Sequence, residues 1–207
     1  MHAAFSLVHA RHAAPVRIVM VPGWHNSEPA HWQTRWEQRL PQAERVQQQD
    51  WEAPERGAWV AQLARTITAR PGPVVLVAHS LGCITSVHLP AAVAARVQAA
   101  LLVAPANPLR VAALEGFAPV PRTVLPYPSV VVGSDNDPYC PLDLVQQYAD
   151  AWGSELVRMT GAGHINADSG HGTWPEGWEI LQGVLQRVAS APPHAVRQPA
   201  EACRMCA

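Results

Sequence analysis

Charge is scarce in this chain and neither sign prevails: Asp, Glu, Lys and Arg make up 15% of the 207 residues, for a formal net charge of −1 at pH 7. A basic face of the kind that holds nucleic acid or an anionic membrane is therefore not expected, and burial rather than ion pairing must carry stability. Cysteine is also sparse. Cys83, Cys140, Cys203 and Cys206 lack the regular spacing of a disulfide framework, and the single C-x-x-C, Cys203 and Cys206, sits in a polar tail with no second pair. Free thiols are expected. Long hydrophobic runs are missing too: Met1 to Pro15 is interrupted by His2, His9, Arg11 and His12, which leaves neither a signal-peptide core nor a membrane span. These absences predict a cytoplasmic protein without a membrane or nucleic-acid partner. No fixed-period repeat is visible.

What is present is apolar residue in short, regularly spaced runs. Hydrophobic residues make up 48% of the chain, enough for one full-sized core. Residues 1–15 read as a lead-in, 16–190 as one domain, and the Pro, Ala and polar stretch 191–207 as a loose tail. Six short apolar strands are predicted at 16–21, 44–48, 74–78, 99–104, 129–133 and 155–159. Helices are predicted between them: one opening at Ser27, Glu28 and Pro29 and closing at Leu40, one carrying Trp59, Leu63 and Ile67, one over 83–95, a short one over 109–115, then 141–152 and 176–188. Strands alternating with amphipathic helices predict an α/β fold: a mainly parallel sheet covered on both faces, with ligands bound beyond the carboxyl ends of the strands. The proline-rich stretch 106–128 is too short for a large cap domain.

The chain is organised around 73–82, Pro-Val-Val-Leu-Val-Ala-His-Ser-Leu-Gly. An apolar β-branched run breaks into a tight turn with Ser80 at its apex, and a helix follows at once, the context of a nucleophile elbow. Small residues are needed two before and two after the serine, where backbones nearly touch; here they are Ala78 and Gly82. The same pentapeptide also fits a serine that only caps a helix. Two later loops decide between these readings. The loop after the fifth strand is Gly133-Ser134-Asp135-Asn136-Asp137-Pro138-Tyr139, and that after the sixth is Gly161-Ala162-Gly163-His164-Ile165-Asn166. Ser, Asp and His therefore follow one another in chain order at three strand ends.

Each residue type has a physical task. A serine hydroxyl needs a nearby base, and imidazole can take its proton and return it to the leaving group, which assigns His164. A carboxylate must hold the other ring nitrogen; Asp137 is preferred because Pro138 pushes it toward extended geometry, with Asp135 as the alternative acid. The backbone N–H of Leu81, at the start of the helix, and that of Trp24, after Gly23, are the expected oxyanion donors, with His25 as an alternative. Trp24, His25 and Trp174 are expected near the substrate pocket. Neither His25 with His31 nor His164 with His171 has the spacing of a zinc motif, so no metal or other cofactor is expected.

With these residues in place, the chain resembles the α/β-hydrolases, and more narrowly the small serine hydrolases grouped with the retinoblastoma-binding-protein and YdeN-type proteins. The resemblance covers 16–188 and is carried by Val-Pro-Gly-Trp (21–24), Trp-Gln-Thr-Arg-Trp (32–36), Ala-His-Ser-Leu-Gly (78–82), Gly-Ser-Asp-Asn-Asp-Pro-Tyr (133–139) and Gly-Ala-Gly-His-Ile-Asn (161–166). It implies a compact sheet, no large cap, and a Ser80, His164, Asp137 triad. The L-x-C-x-E signature of some members is absent, because Leu81-Gly82-Cys83-Ile84 is followed by Thr85, so a retinoblastoma-type partner is not implied. The expected activity is hydrolysis of a small carboxylic ester, or less readily an amide, through an acyl-enzyme. The rivals are a binding module that kept the fold and lost turnover, and acyl transfer to an acceptor other than water. Nothing in the sequence speaks to oligomeric state.

Overall fold

The computed structural model describes residues 16–190. Six strands form one fully parallel sheet in the order β2-β1-β3-β4-β5-β6. They are β1 (Arg17–Val21), β2 (Ala43–Arg45), β3 (Val74–His79), β4 (Val97–Val103), β5 (Ser129–Ser134) and β6 (Glu155–Met159). Successive residues of a strand point to opposite faces, and here both faces are covered, so β1, β3 and β5 are buried along their whole length.

On one face Val19, Val21, Leu76, Ala78 and Leu102 pack against α2 (Arg56–Thr68), α3 (Leu81–Val87) and α5 (Leu142–Trp152). On the other, Ile18, Met20, Val75, Val77 and Leu101 pack with Trp32 and Trp36 of α1 (Trp32–Arg39) and Leu181 and Val184 of α6 (Pro175–Ser190). A buried aliphatic side chain contributes roughly 1.5–3 kcal/mol relative to exposure, so these two layers are the main source of stability. From β1 the chain moves out to β2, then returns to place β3 on the other side. The loops after β1 and β3 thus diverge at a switch point, where parallel sheets form ligand crevices.

The structure differs from the sequence expectation at several element ends. The first helix begins at Trp32, not near Pro29: His31 is its N-cap, with Nδ1 accepting from the Gln33 N–H at 3.1 Å. Positive φ at His25 and Asn26 turns the chain first, and Ser27 ties to the helix by donating to Gln33 Oε1. The helix expected over 83–95 is two, α3 and α4 (Ala91–Ala94), because Pro90 lacks an N–H and cannot continue the first. The segment expected to be helical at 109–115 forms two 3₁₀ turns, Pro108–Arg110 and Ala112–Phe117. The lead-in and the tail, including Cys203 and Cys206, lie outside the described residues; Cys83 and Cys140 are free and buried. Among the described residues no helix is long and apolar enough to cross a membrane.

Candidate active site

Ser80 sits between β3 and α3 with φ 53° and ψ −119°, a conformation that costs a non-glycine residue about 1–3 kcal/mol and persists only where its surroundings enforce it. Backbone bonds hold it on both sides: its N–H donates to the Val103 carbonyl at 2.9 Å and its carbonyl accepts from Cys83 at 3.0 Å. Two glycines make room. A Cβ on Gly82 would lie 2.1 Å from the Val21 carbonyl oxygen and 2.7 Å from that of Pro22, and a Cβ on Gly23 would lie 2.8 Å from Ser80 Cβ. Ala78, by contrast, packs its methyl into the core with no exposure, which explains why alanine can stand where glycine is usual.

The loops after β5 and β6 are joined residue by residue. Asp135 Oδ1 accepts from the Gly161 N–H at 2.8 Å, Ser134 Oγ from Ala162 at 2.9 Å, and Asn136 Oδ1 from Gly163 at 2.7 Å. The fourth contact in the series is between side chains: His164 Nδ1 donates to Asp137 Oδ2 at 2.8 Å. Asp137 is itself fixed, because its Oδ1 accepts from the Tyr139 N–H at 2.8 Å. Of the two candidate carboxylates, Asp137 therefore meets His164 while Asp135 fastens the loop two residues beyond β6.

Ser80 and His164 open on one cleft of about 290 Å³, shared with Trp24, His25, His79 and Tyr139. No hydrogen bond joins the Ser80 hydroxyl to His164 among the described residues; such contacts often tighten only when substrate is bound. The Tyr139 ring stands edge-on to His164, with centroids 4.6 Å apart. The ring of Trp24 stacks on that of His25 at 4.1 Å, and both residues line the cleft. The His25 N–H is committed to the Trp51 carbonyl at 3.3 Å, whereas neither Trp24 nor Leu81 spends its N–H on a backbone acceptor among the described residues.

Trp174 requires a correction. It is 2% exposed, stacks on Trp36 with ring planes 6° apart, and packs under Gly177 of α6, where a Cβ would lie 2.2 Å from the indole. The tryptophan belongs to the α1–α6 core and does not line the cleft. Among the described residues no group of three or more His, Cys, Asp or Glu side chains could hold a metal ion.

Three histidine rings follow one another beside the cleft, His31 to His79 at 4.8 Å and His79 to His164 at 4.9 Å. Burial, with smaller contributions from Arg45 and His164, pulls the His31 pKa down to about 3. His79 is held well below the ordinary imidazole range, again by burial first and then by His31 and His164. Both are therefore neutral at pH 7. Sequence reasoning missed the tethering by Ser134 and Asn136; the available signal was the run of polar, carbonyl-bearing side chains directly after a buried strand.

A protein-family model described as serine hydrolase matches residues 18–183. A YdeN-like hydrolase from Pectobacterium atrosepticum is 34% identical, with 84% of this chain and 92% of that one covered at a TM-score of 0.77. The ydeN gene product from B. subtilis is 18% identical over 83% of this chain and 100% of that one, with a TM-score of 0.67. A thermophilic esterase from the Planctomycetes species Thermogutta terrifontis is 16% identical over 88% and 85%, with a TM-score of 0.66, a likeness of fold. No curated protein matches the chain. The compact parallel sheet, the family match over most of its length and the YdeN-like relative together establish that the chain belongs to the serine hydrolase family, within the α/β-hydrolases.

Proposed function

We propose that this hydrolase cleaves small carboxylic esters through an acyl-enzyme on Ser80, with His164 as general base and acid and Asp137 as its orienting carboxylate. The observation that carries the reading is the positive-φ turn at Ser80 opening on the same cleft as a His164 ring held by Asp137. Ser80 Oγ bonds to the ester carbonyl carbon while its proton passes to His164 Nε2. The oxyanion takes hydrogen bonds from the Leu81 and Trp24 N–H groups, which act on charge that develops only as the bond forms. His164 then gives the proton to the leaving alcohol, and the C–O bond to that alcohol breaks. Water repeats the sequence on the acyl-enzyme, releases the acid and returns Ser80 to its starting state. Asp137 stays ionised throughout and stabilises the imidazolium.

Ester is favoured over amide on two grounds. A cleft of about 290 Å³ with no cap domain among the described residues offers little surface for an extended chain, and one protein of the same fold is an esterase. A fluorophosphonate probe should label Ser80, and p-nitrophenyl esters of graded chain length should be hydrolysed best when short; both activities should vanish in Ser80→Ala. Folded wild-type protein that takes no label and turns over no ester would overturn the assignment.

A further inference from the structure

Ser80 and His164 stand at the ends of strands that are not neighbours. β4 and β5 lie between β3 and β6, so three strand spacings, about 14 Å, separate the two strand ends. The loop after β6 must reach back across the sheet to bring the imidazole to the serine. Its outer part is held at residues 161–163 by Ser134 at the end of β5 and by Asp135 and Asn136 just after it, and the ring by Asp137. What fixes its inner end is a separate matter.

His79 is the last residue of β3, directly before Ser80, and alternation along the strand sends its side chain to the face opposite Ala78, toward α1. There its Nε2 lies 3.0 Å from the backbone carbonyl oxygen of His164, 85 positions along the chain. A carbonyl only accepts, so Nε2 carries the hydrogen and the neutral ring has its lone pair on Nδ1. His31, Trp32 and His164 surround the ring, and only 5% of His79 is exposed. The next carbonyl, that of Ile165, accepts from Trp32 Nε1 at 2.8 Å. Two buried donors thus grip consecutive carbonyls of the loop, and one of them belongs to the residue that precedes Ser80.

We propose that His79 is a positioning residue for the proposed base: its Nε2–H bond to the His164 carbonyl ties the imidazole loop to the elbow strand and sets the distance between His164 and Ser80. The inference rests on the hydrolase reading above. The carboxylate fixes how the ring is rotated, whereas His79 fixes where the backbone beneath it stands. A displacement of about 1 Å at reacting groups can cost on the order of a hundredfold in rate. Burial keeps His79 uncharged over the neutral range, so it adds no repulsion when His164 takes the proton.

The test is steady-state hydrolysis of p-nitrophenyl butyrate by wild type, His79→Phe and His79→Gln, with active sites counted by fluorophosphonate and folding checked by thermal melting. His79→Phe fills the space without a donor; His79→Gln places an amide N–H near the position of Nε2. The expected result is a kcat per labelled site reduced roughly ten- to a hundredfold in His79→Phe with KM within twofold, and most of that loss recovered in His79→Gln. Should His79→Phe not fold, His79→Leu is the second donor-free variant. A donor-free variant that folds and keeps kcat within twofold of wild type would overturn the inference, as would equal losses in the Phe and Gln variants or a change confined to KM. Wild type that neither labels nor hydrolyses would instead sink the hydrolase reading, and this inference with it.

Discussion

The two halves of the site are built by different physics. At the β1–β3 end the chain is shaped by exclusion: Gly82 has no room for a Cβ against the Val21 and Pro22 carbonyls, and Ser80 carries a positive φ that the packing around it enforces. At the β5–β6 end the chain is shaped by attraction: Ser134, Asp135, Asn136 and Asp137 each reach across to residues 161–164. Steric construction leaves no freedom, because protein interiors do not yield to an added methyl. Hydrogen-bonded construction is divisible, since each bond contributes only about 0.5–1.5 kcal/mol and its neighbours persist when it is lost. In the proposed reaction the serine must meet oxyanion donors made of fixed backbone. The histidine need only be brought within reach and turned.

The contrast is most exposed at Gly82. Gly82→Ala should destabilise the fold by at least about 3 kcal/mol and remove activity with it, because the new Cβ meets backbone oxygens rather than a yielding side chain; a melting temperature near that of wild type would show that the elbow tolerates what the geometry forbids. Next in size is Asp137→Asn, which should leave the melting curve close to wild type while lowering kcat by about 10³- to 10⁴-fold, since the amide can hold the ring only in the wrong tautomer. Equal activity of Asp137→Asn and wild type, with Asp135→Asn inactive, would exchange the two carboxylates.

Smaller effects sharpen the divisibility of the second half. Asn136→Ala removes the acceptor for both Gly163 N–H and Ser134 Oγ, and should cost about 1–3 kcal/mol of stability with a kcat loss near tenfold. Asp135→Asn keeps the acceptor for Gly161 and should change kcat by less than about twofold.

The seam between the halves adds a dependence on pH. His31 has a folded pKa of about 3 against an ordinary 6.5, so above pH 6.5 both states are neutral and its contribution is nil. As pH falls from 6.5 toward 3 the unfolded chain takes up the proton first, and stability declines. His79 acts in the same direction. Thermal melts across that window should show the decline, and His31→Asn, whose amide oxygen replaces Nδ1 as the cap acceptor for α1, should flatten it.

Much of this was legible in the chain before any tertiary contact. Strands β1, β3, β4 and β5 and the order of Ser80, Asp137 and His164 follow from apolar runs ended by polar or glycine loops, because buried parallel strands must be apolar, whereas the edge strands β2 and β6 carry Glu44, Arg45, Glu155 and Arg158 and give a weaker signal. Helix ends were read less well: Pro29 suggests a start that positive φ at His25 and Asn26 delays to Trp32, and Pro90 divides a segment whose composition is helical throughout. Proximity to His164 in sequence suggests a pocket role for Trp174, but it does not fix where an indole points. Its own φ of +42° and the glycine at 177 turn it into the core.

The sequence by itself determined the sheet, the elbow and the order of the chemistry-bearing residues, all of which depend on local pattern and on steric limits at single positions. Only the tertiary structure decided which carboxylate meets His164, that His25 spends its N–H elsewhere, and that His79 grips the loop carrying His164. These depend on directions of hydrogen bonds between segments far apart in the chain, and such directions exist only once the sheet has set the segments side by side.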